Sequence, residues 1–280
     1  MILVTGATGN VGHELVSQLL DLGQSVRVLT RDPRKVAAWG DRVECAVGSF
    51  DQPSTLDTVL DGIEQMFLMT NEVGAGHVET AVKAVQKAGG RNIVYLSSTG
   101  ASHPELLLGK WHQDREEAIR ASGLTWTFLR PGNFMSNTLM WAEMIKTQGT
   151  VYFPGGQGKT APIDPQDIAA VAALALTQPG HAGQIYDLTG NEPLSTAQQV
   201  EILSRVLGKP IRYVDVPPSA VKEQMLARGL PALVAEAATE VFTLVYEGWG
   251  GDVTDTFAKV VGRKPRSFEA WSREHIAAFQ

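Results

Sequence analysis

The chain has 280 residues, 44% of them hydrophobic and 19% charged, a globular composition long enough for one large domain or one and a half and unlike that of a disordered chain. The net charge of −6 excludes a basic nucleic-acid-binding face, the single cysteine, Cys45, excludes an internal disulfide, and the longest apolar run, 168–176, is too short to span a bilayer.

Residues 2–4, Ile-Leu-Val, are continuously apolar, the mark of a strand covered on both faces of a parallel sheet, and predict a central strand. A first strand that starts at Met1 leaves no room for a signal peptide, and a lone cysteine suits a reducing compartment, so a cytoplasmic protein is expected. Gly6, Gly9 and Gly12 follow at G-x-x-G-x-x-G spacing, and 10–22 carries apolar residues at helical spacing. Strand, glycine turn and helix together form the context of a dinucleotide-binding loop. Gly6, Thr8, Gly9, Asn10, Val11 and Gly12 are expected to hold a pyrophosphate at the positive end of the helix.

A second strand, 24–29, ends in Thr-Arg-Asp-Pro-Arg-Lys. Arg31 stands where an acid would accept hydrogen bonds from the ribose of NAD, with Lys35 close behind, so NADP(H) is preferred and Asp32 keeps NAD(H) open. Strands at 42–47, 65–69 and 92–96 alternate with helices such as 75–88, which specifies an α/β fold with a doubly wound parallel sheet. Thr70 and Asn71 are expected beside the adenosine, and Ser97 and Ser98 where a nicotinamide ring arrives. Cys45 reads as a core residue.

The next helix, 106–121, contains Leu108, Lys110 and His112, but no tyrosine lies between residues 96 and 151. Lys110 reads either as a surface charge or as one facing a phosphate. His112 is a candidate proton donor at neutral pH. A sixth strand, 124–129, runs into Arg130-Pro131-Gly132-Asn133-Phe134, which turns the chain over the nicotinamide. Pro131 is assigned to the cofactor and Asn133 and Phe134 to the meeting point with substrate, so the catalytic candidates are His112, Asn133 and Ser97. A helix at 134–146, rich in methionine and aromatic residues, supplies Met140 and Trp141 as adaptable substrate contacts. Tyr152 opens a glycine-rich loop leaving the sheet, and Trp249 sits in a second such loop placed to lid the pocket.

Residues 1–150 are therefore expected to form the cofactor domain and 151–280 a smaller, mostly helical substrate part, with 184–189 returning to the sheet. In that part helices are expected at 168–177, 195–207, 220–228, 232–246 and 268–278, and a strand at 211–216. Asp164 and Asp167 read as structural. The six histidines are scattered, and no cluster has metal-ligand spacing.

Gly6-Ala7-Thr8-Gly9-Asn10-Val11-Gly12, Thr30-Arg31-Asp32-Pro33, Leu96-Ser97-Ser98, Thr127 to Phe134, Ile163 to Ala169 and Gly262 to Phe268 together resemble the NmrA-like, atypical short-chain dehydrogenase/reductase family across essentially the whole chain. In particular the chain is similar to bacterial NAD(P)H-dependent quinone, azo-dye and triphenylmethane-dye reductases. In the short-chain superfamily a tyrosine four residues before a lysine donates the proton. Here Leu108 and His112 take those places, a departure shared by several of these reductases, many of which have histidine at the second place. The resemblance implies hydride transfer to a small aromatic or conjugated acceptor, electrophilic enough to need no dedicated acid. Two other readings stay open: a non-catalytic NAD(P) redox sensor and an imine or iminium reductase. No membrane partner is expected, and the chain is read as a monomer or homodimer.

Overall fold

A computed structural model describes residues 1–280. Their contacts divide them into two compact units, one of residues 1–102, 109–131 and 165–187, the other of 103–108, 132–164 and 188–280. The division differs from parts of 1–150 and 151–280 with 184–189 returning to the sheet, because 132–150 joins the second unit and the longer stretch 165–187 belongs to the first. Helix 165–177 explains the return. It is apolar nearly all round, with Ile168, Val171, Ala172 and Leu176 buried, and such a helix must be covered on several sides.

In the first unit the strands β1 (Ile2–Val4), β2 (Val26–Thr30), β3 (Glu44–Val47), β4 (Gln65–Leu68), β5 (Asn92–Leu96) and β6 (Thr125–Pro131) pair in parallel. With β7 (Thr150–Phe153) lying elsewhere, β8 (Gln184–Leu188) completes a seven-stranded sheet of order β3-β2-β1-β4-β5-β6-β8. The helices α1 (Asn10–Asp21), α2 (Leu56–Val59), α3 (Gly76–Lys87) and α4 (Leu107–Ala121) connect these strands. Val78, Ala81, Val82 and Val85 of α3 and Ile119 of α4 pack with Leu3, Met66, Leu68, Ile93, Tyr95 and Phe128 of the sheet into one core.

Strand order reverses between β1 and β4, which makes the crevice at their carboxyl ends the binding point of this architecture. Thr5 stitches the two strands there, its hydroxyl donating to the Phe67 carbonyl at 3.1 Å and accepting from the Met69 amide at 2.8 Å. Cys45 is exposed, contrary to the core position expected of it, because β3 is the edge strand and has only β2 beside it.

In the second unit α5 (Ala142–Gln148) precedes β7, and β7 pairs in parallel with β9 (Arg212–Asp215), so Tyr152 belongs to a strand and not to a loop. The single helix expected over 134–146 is split into a 3-10 stretch, Met135–Trp141, and α5. Phe134 bridges to Ile163, and the Met135 amide donates to the Ile163 carbonyl, so the start of this segment bonds across the chain before any helix forms.

After α6 (Pro165–Thr177), α7 (Thr196–Leu207) opens on a capping box. The Ser195 hydroxyl accepts from the Gln198 amide at 3.2 Å, and the Gln198 side chain accepts from the Ser195 amide at 2.9 Å. Ser195→Ala is expected to cost about 1 kcal/mol, read as a lower urea midpoint with an unchanged slope. Helices α8 (Pro218–Ala227), α9 (Ala232–Tyr246), α10 (Thr256–Val261) and α11 (Phe268–Glu274) follow. The core of this unit gathers Met135, Trp141, Ile145, Val151, Leu203, Phe268 and Trp271.

Candidate functional site

The glycine turn after β1 is built for close approach. Gly6 has φ +63°, a conformation that glycine adopts without steric cost. A Cβ on Gly12 would lie 2.2 Å from the Gly6 carbonyl oxygen, and one on Gly9 3.3 Å from the same atom, so larger residues would push α1 off the turn and fill the cradle above it. Gly9 is the N-cap of α1 and offers no side-chain cap, and no acid stands in the first helical turn. The positive end of the helix dipole is therefore left for an external anion, which fits the pyrophosphate of a dinucleotide. Thr8 and Asn10 flank this end, whereas the Val11 side chain turns into the core. Gly12→Ala is expected to cost about 1–3 kcal/mol of stability by overpacking. The stabilisation that NADPH gives in thermal unfolding is expected to be lost with it.

At the carboxyl end of β2 the charges sort themselves. Arg34 grips Asp32 with a two-pronged pair, Nε to Oδ1 at 2.9 Å and Nη2 to Oδ2 at 3.0 Å, while the Arg34 amide donates to the same carboxylate. That hydrogen bonding holds the Asp32 carboxyl below the usual carboxylate range. Asp32 is thereby committed to its own turn, and Arg31 and Lys35 remain exposed beside it. Two cations next to an acid already neutralised by Arg34 suit the extra phosphate of NADP. After β3, Ser49 and His77 hold Asp51 at 3.0 and 2.8 Å.

The carboxyl ends of β5 and β6 carry a buried charged network. Glu116 of α4 is fully buried; its carboxylate accepts from the Ser97 hydroxyl at 2.6 Å, from Arg130 at 2.8 and 2.6 Å, and from Arg120 at 2.9 Å. Arg130 also donates to Ser102 at 2.9 Å. The sequence predicts a catalytic part for Ser97. Its hydroxyl is instead spent on Glu116, which locks α4 to the end of β5.

His112 departs from its expected role as well. Burial, reinforced by the charges of Arg115 and Arg130, pushes its pKa down to about 3, so it is neutral and is no proton source near pH 7. Its Nδ1 lies 3.3 Å from the Tyr95 hydroxyl. Ser98 accepts from the Gly100 amide at 3.1 Å and shapes the turn after β5. Lys110 is an exposed charge paired with Asp114 on the next turn of α4. Thr70 is half-buried and Asn71 exposed just past β4, and Pro131 is buried where β6 ends.

Within the second unit, Asn133 sits in a chain of polar side chains. Its amide accepts from Asn137 at 2.7 Å and donates to the Thr160 hydroxyl at 3.4 Å. Phe134 is half-buried beside it, and Met140 and Tyr152 are exposed. Trp141, expected at the substrate, is instead 3% exposed and packs edge-on against Phe153 in the core. The 3-10 geometry of Met135–Trp141 advances 120° per residue, which places position 141 on the inner face, where an α-helix would have rotated it elsewhere. Trp249 is 42% exposed and meets His103 edge-on at 5.4 Å. Asp164 and Asp167 are buried, Asp164 against Arg266, as befits structural carboxylates.

Sequence reasoning missed the roles of Tyr95, Arg115, Glu116 and Arg130. Glu116 alone left a signal, an acid four residues after His112 on the buried face of an amphipathic helix.

The NmrA-like family model matches residues 1–271. The (4-alkanoyl-5-oxo-2,5-dihydrofuran-3-yl)methyl phosphate reductase of Streptomyces griseus subsp. griseus is 39% identical over 281 residues, covering 100% of this chain and 99% of that one. The NAD(P)H azoreductase of Xenophilus azovorans is 37% identical, covering 100% and 99%. Among solved structures, the NADPH-dependent quinone oxidoreductase of Escherichia coli in complex with NADPH superposes with a TM-score of 0.86 at 26% identity, covering 99% of this chain and 100% of that one. The triphenylmethane reductase of Citrobacter sp. complexed with NADP(H) superposes with a TM-score of 0.82 at 26% identity, covering 98% and 99%.

Proposed function

The chain belongs to the NmrA-like family, and from that premise we propose that it is an NADPH-dependent reductase of a conjugated, electrophilic small molecule of quinone, azo or triarylmethane type. It is an NAD(P)H-dependent oxidoreductase, in keeping with reductases 39% and 37% identical over its whole length. NADP(H) is its cofactor, held by the cradle of Gly6, Gly9 and Gly12 and by the cations Arg31 and Lys35. When bound, the cofactor supplies the hydride.

The acceptor class rests on one observation: the polar side chains at the ends of β5 and β6 offer no acid. Ser97 is engaged by Glu116, and His112 is neutral. A quinone or an azo bond accepts hydride at a strongly electrophilic centre and takes its proton from water afterwards, and a triaryl cation is neutralised by the hydride and takes no proton, so orientation contributes most of the rate. A simple ketone would need the missing acid. Asn133 and Phe134 are assigned to acceptor contact.

Because His112 is already neutral well below pH 5, it adds no titration to kcat between about pH 5 and pH 8. The test follows NADPH oxidation across quinones, azo dyes, triarylmethane cations and cyclic imines, with NADPH affinity measured alongside. Turnover of one of the first three classes, slowed by Asn133→Ala, is the expected result. Turnover of imines alone would replace the acceptor class. Tight NADPH binding with no turnover would make the protein a dinucleotide sensor.

A further inference from the structure

The helix tyrosine is absent, yet a tyrosine hydroxyl stands against α4 from another direction. Tyr95 lies one residue before the end of β5, is fully buried, and packs edge-on against Phe128 with ring centroids 6.2 Å apart. Its hydroxyl reaches the Nδ1 atom of His112 at 3.3 Å, one helical turn ahead of the Glu116 that holds Ser97. Arg115, 3% exposed, acts on the same hydroxyl. The backbone carbonyls of Gly74, at 2.7 Å, and Glu72 fix its guanidinium.

We propose that Tyr95 fixes His112 as the Nε2–H tautomer and so makes it a neutral hydrogen-bond donor to the negative charge that a quinone or azo acceptor gains with the hydride.

The hydrogen-bond inventory carries the assignment. A guanidinium has five donors and no acceptor, so Arg115 donates to the Tyr95 oxygen, and the Thr70 hydroxyl, which likewise lowers the phenol's pKa, donates to its other lone pair. The phenolic proton is then left to be given away, and the His112 Nδ1 atom receives it. A neutral imidazole that accepts at one nitrogen carries its hydrogen on the other, which leaves Nε2 as a donor of fixed direction. Burial and the Glu116 carboxylate oppose ionisation of the phenol and outweigh Arg115, which favours it. Arg115 and Arg130 oppose an imidazolium, and burial keeps the phenol protonated, its pKa pushed up to about 12.

Tyr95 is a positioning residue; His112 is the group that meets the reacting molecule. No proton leaves either residue. With NADPH bound, a hydride and its two electrons would pass to a quinone or azo acceptor, giving NADP+ and the reduced acceptor anion. The Nε2–H bond stabilises that anion, and water then protonates it. A donor that is already oriented costs no reorganisation when charge develops.

The inference rests on the reductase reading, and its test separates the two. Nitrogen-15 labelling of histidine in the cofactor-free protein reads the tautomer directly by NMR. Wild-type His112 is expected as Nε2–H at pH 7, and Tyr95→Phe as a mixture of tautomers. The same variant is expected to lower kcat about tenfold, the worth of one positioned hydrogen bond. KM for NADPH is expected to stay within about twofold, since the change acts on the acceptor's developing charge.

A wild-type Nδ1–H ring, or a Tyr95→Phe variant with unchanged tautomer or unchanged kcat, overturns the inference. Should Tyr95→Phe fail to fold, the wild-type tautomer together with the kcat of His112→Phe decides the matter, and an unchanged kcat overturns it. A wild-type protein that turns over no acceptor overturns the reductase reading itself, and the donor's role with it.

Discussion

Replacing Glu116 with alanine is expected to lower the unfolding free energy by about 3–5 kcal/mol, the cost of removing one partner from a buried ion pair. The size follows from what is left behind. Glu116 is fully buried and satisfies Ser97, Arg120 and Arg130 at once, at distances between 2.6 and 2.9 Å. Arg120, with 35% of its side chain exposed, can hydrate when the carboxylate goes. Arg130, with 13% exposed, cannot do so without opening the end of β6. A guanidinium left in that position without its carboxylate partner, keeping only the Ser102 hydroxyl and the charge of Asp187, carries most of the penalty. Urea unfolding with a lowered midpoint and an unchanged slope is the expected signature. A loss below about 1 kcal/mol would place the network in the class of solvated surface pairs and contradict its burial.

The second large effect concerns the cofactor. Arg31→Ala is expected to weaken NADPH binding about 10- to 100-fold, the range of one charge-assisted hydrogen bond, and to leave NADH binding within about twofold. The selectivity arises because Asp32, the residue that could otherwise receive the ribose of NADH, is held by Arg34. The wild-type preference for NADPH should also shrink as ionic strength rises, since Arg31 and Lys35 are exposed. Fluorescence titration with each dinucleotide measures both. Equal losses for NADPH and NADH would move the phosphate contact away from Arg31.

The sequence read well where structure depends on near neighbours. The glycine spacing at 6, 9 and 12, the apolar strand before it and the periodic helix after it are three local signals of one loop. The structure has that loop, with the 2.2 Å approach that glycine alone permits at position 12. The strand-helix rhythm likewise specified the parallel sheet, because each run fits only one period of side-chain burial. Reading from near neighbours failed for Cys45: an alternating strand looks the same at the edge of a sheet as inside it, and only the strand order of the fold leaves β3 uncovered.

The contacts divide the chain differently from the expected 1–150 and 151–280 for a related reason. Helix α6 lies far along the chain from the strands it covers, and composition alone does not say which sheet receives an apolar helix. In the second unit, a run of methionine and aromatic residues has helical spacing whether it forms α or 3-10 turns. The cross-chain bonds from Phe134 and Met135 to Ile163 decide between them, and so bury Trp141.

From sequence alone, then, come the fold class, the dinucleotide loop and the basic end of β2, all written in residues within a few positions of each other. The tertiary structure alone decided the state of the candidate catalytic groups. Ser97 and Glu116 are 19 residues apart, and Tyr95 and His112 17 apart, and they meet only because α4 packs across the end of β5. A hydroxyl becomes a strut and an imidazole neutral through the burial and the charges around them, and burial belongs to the packed protein, not to the order of its residues.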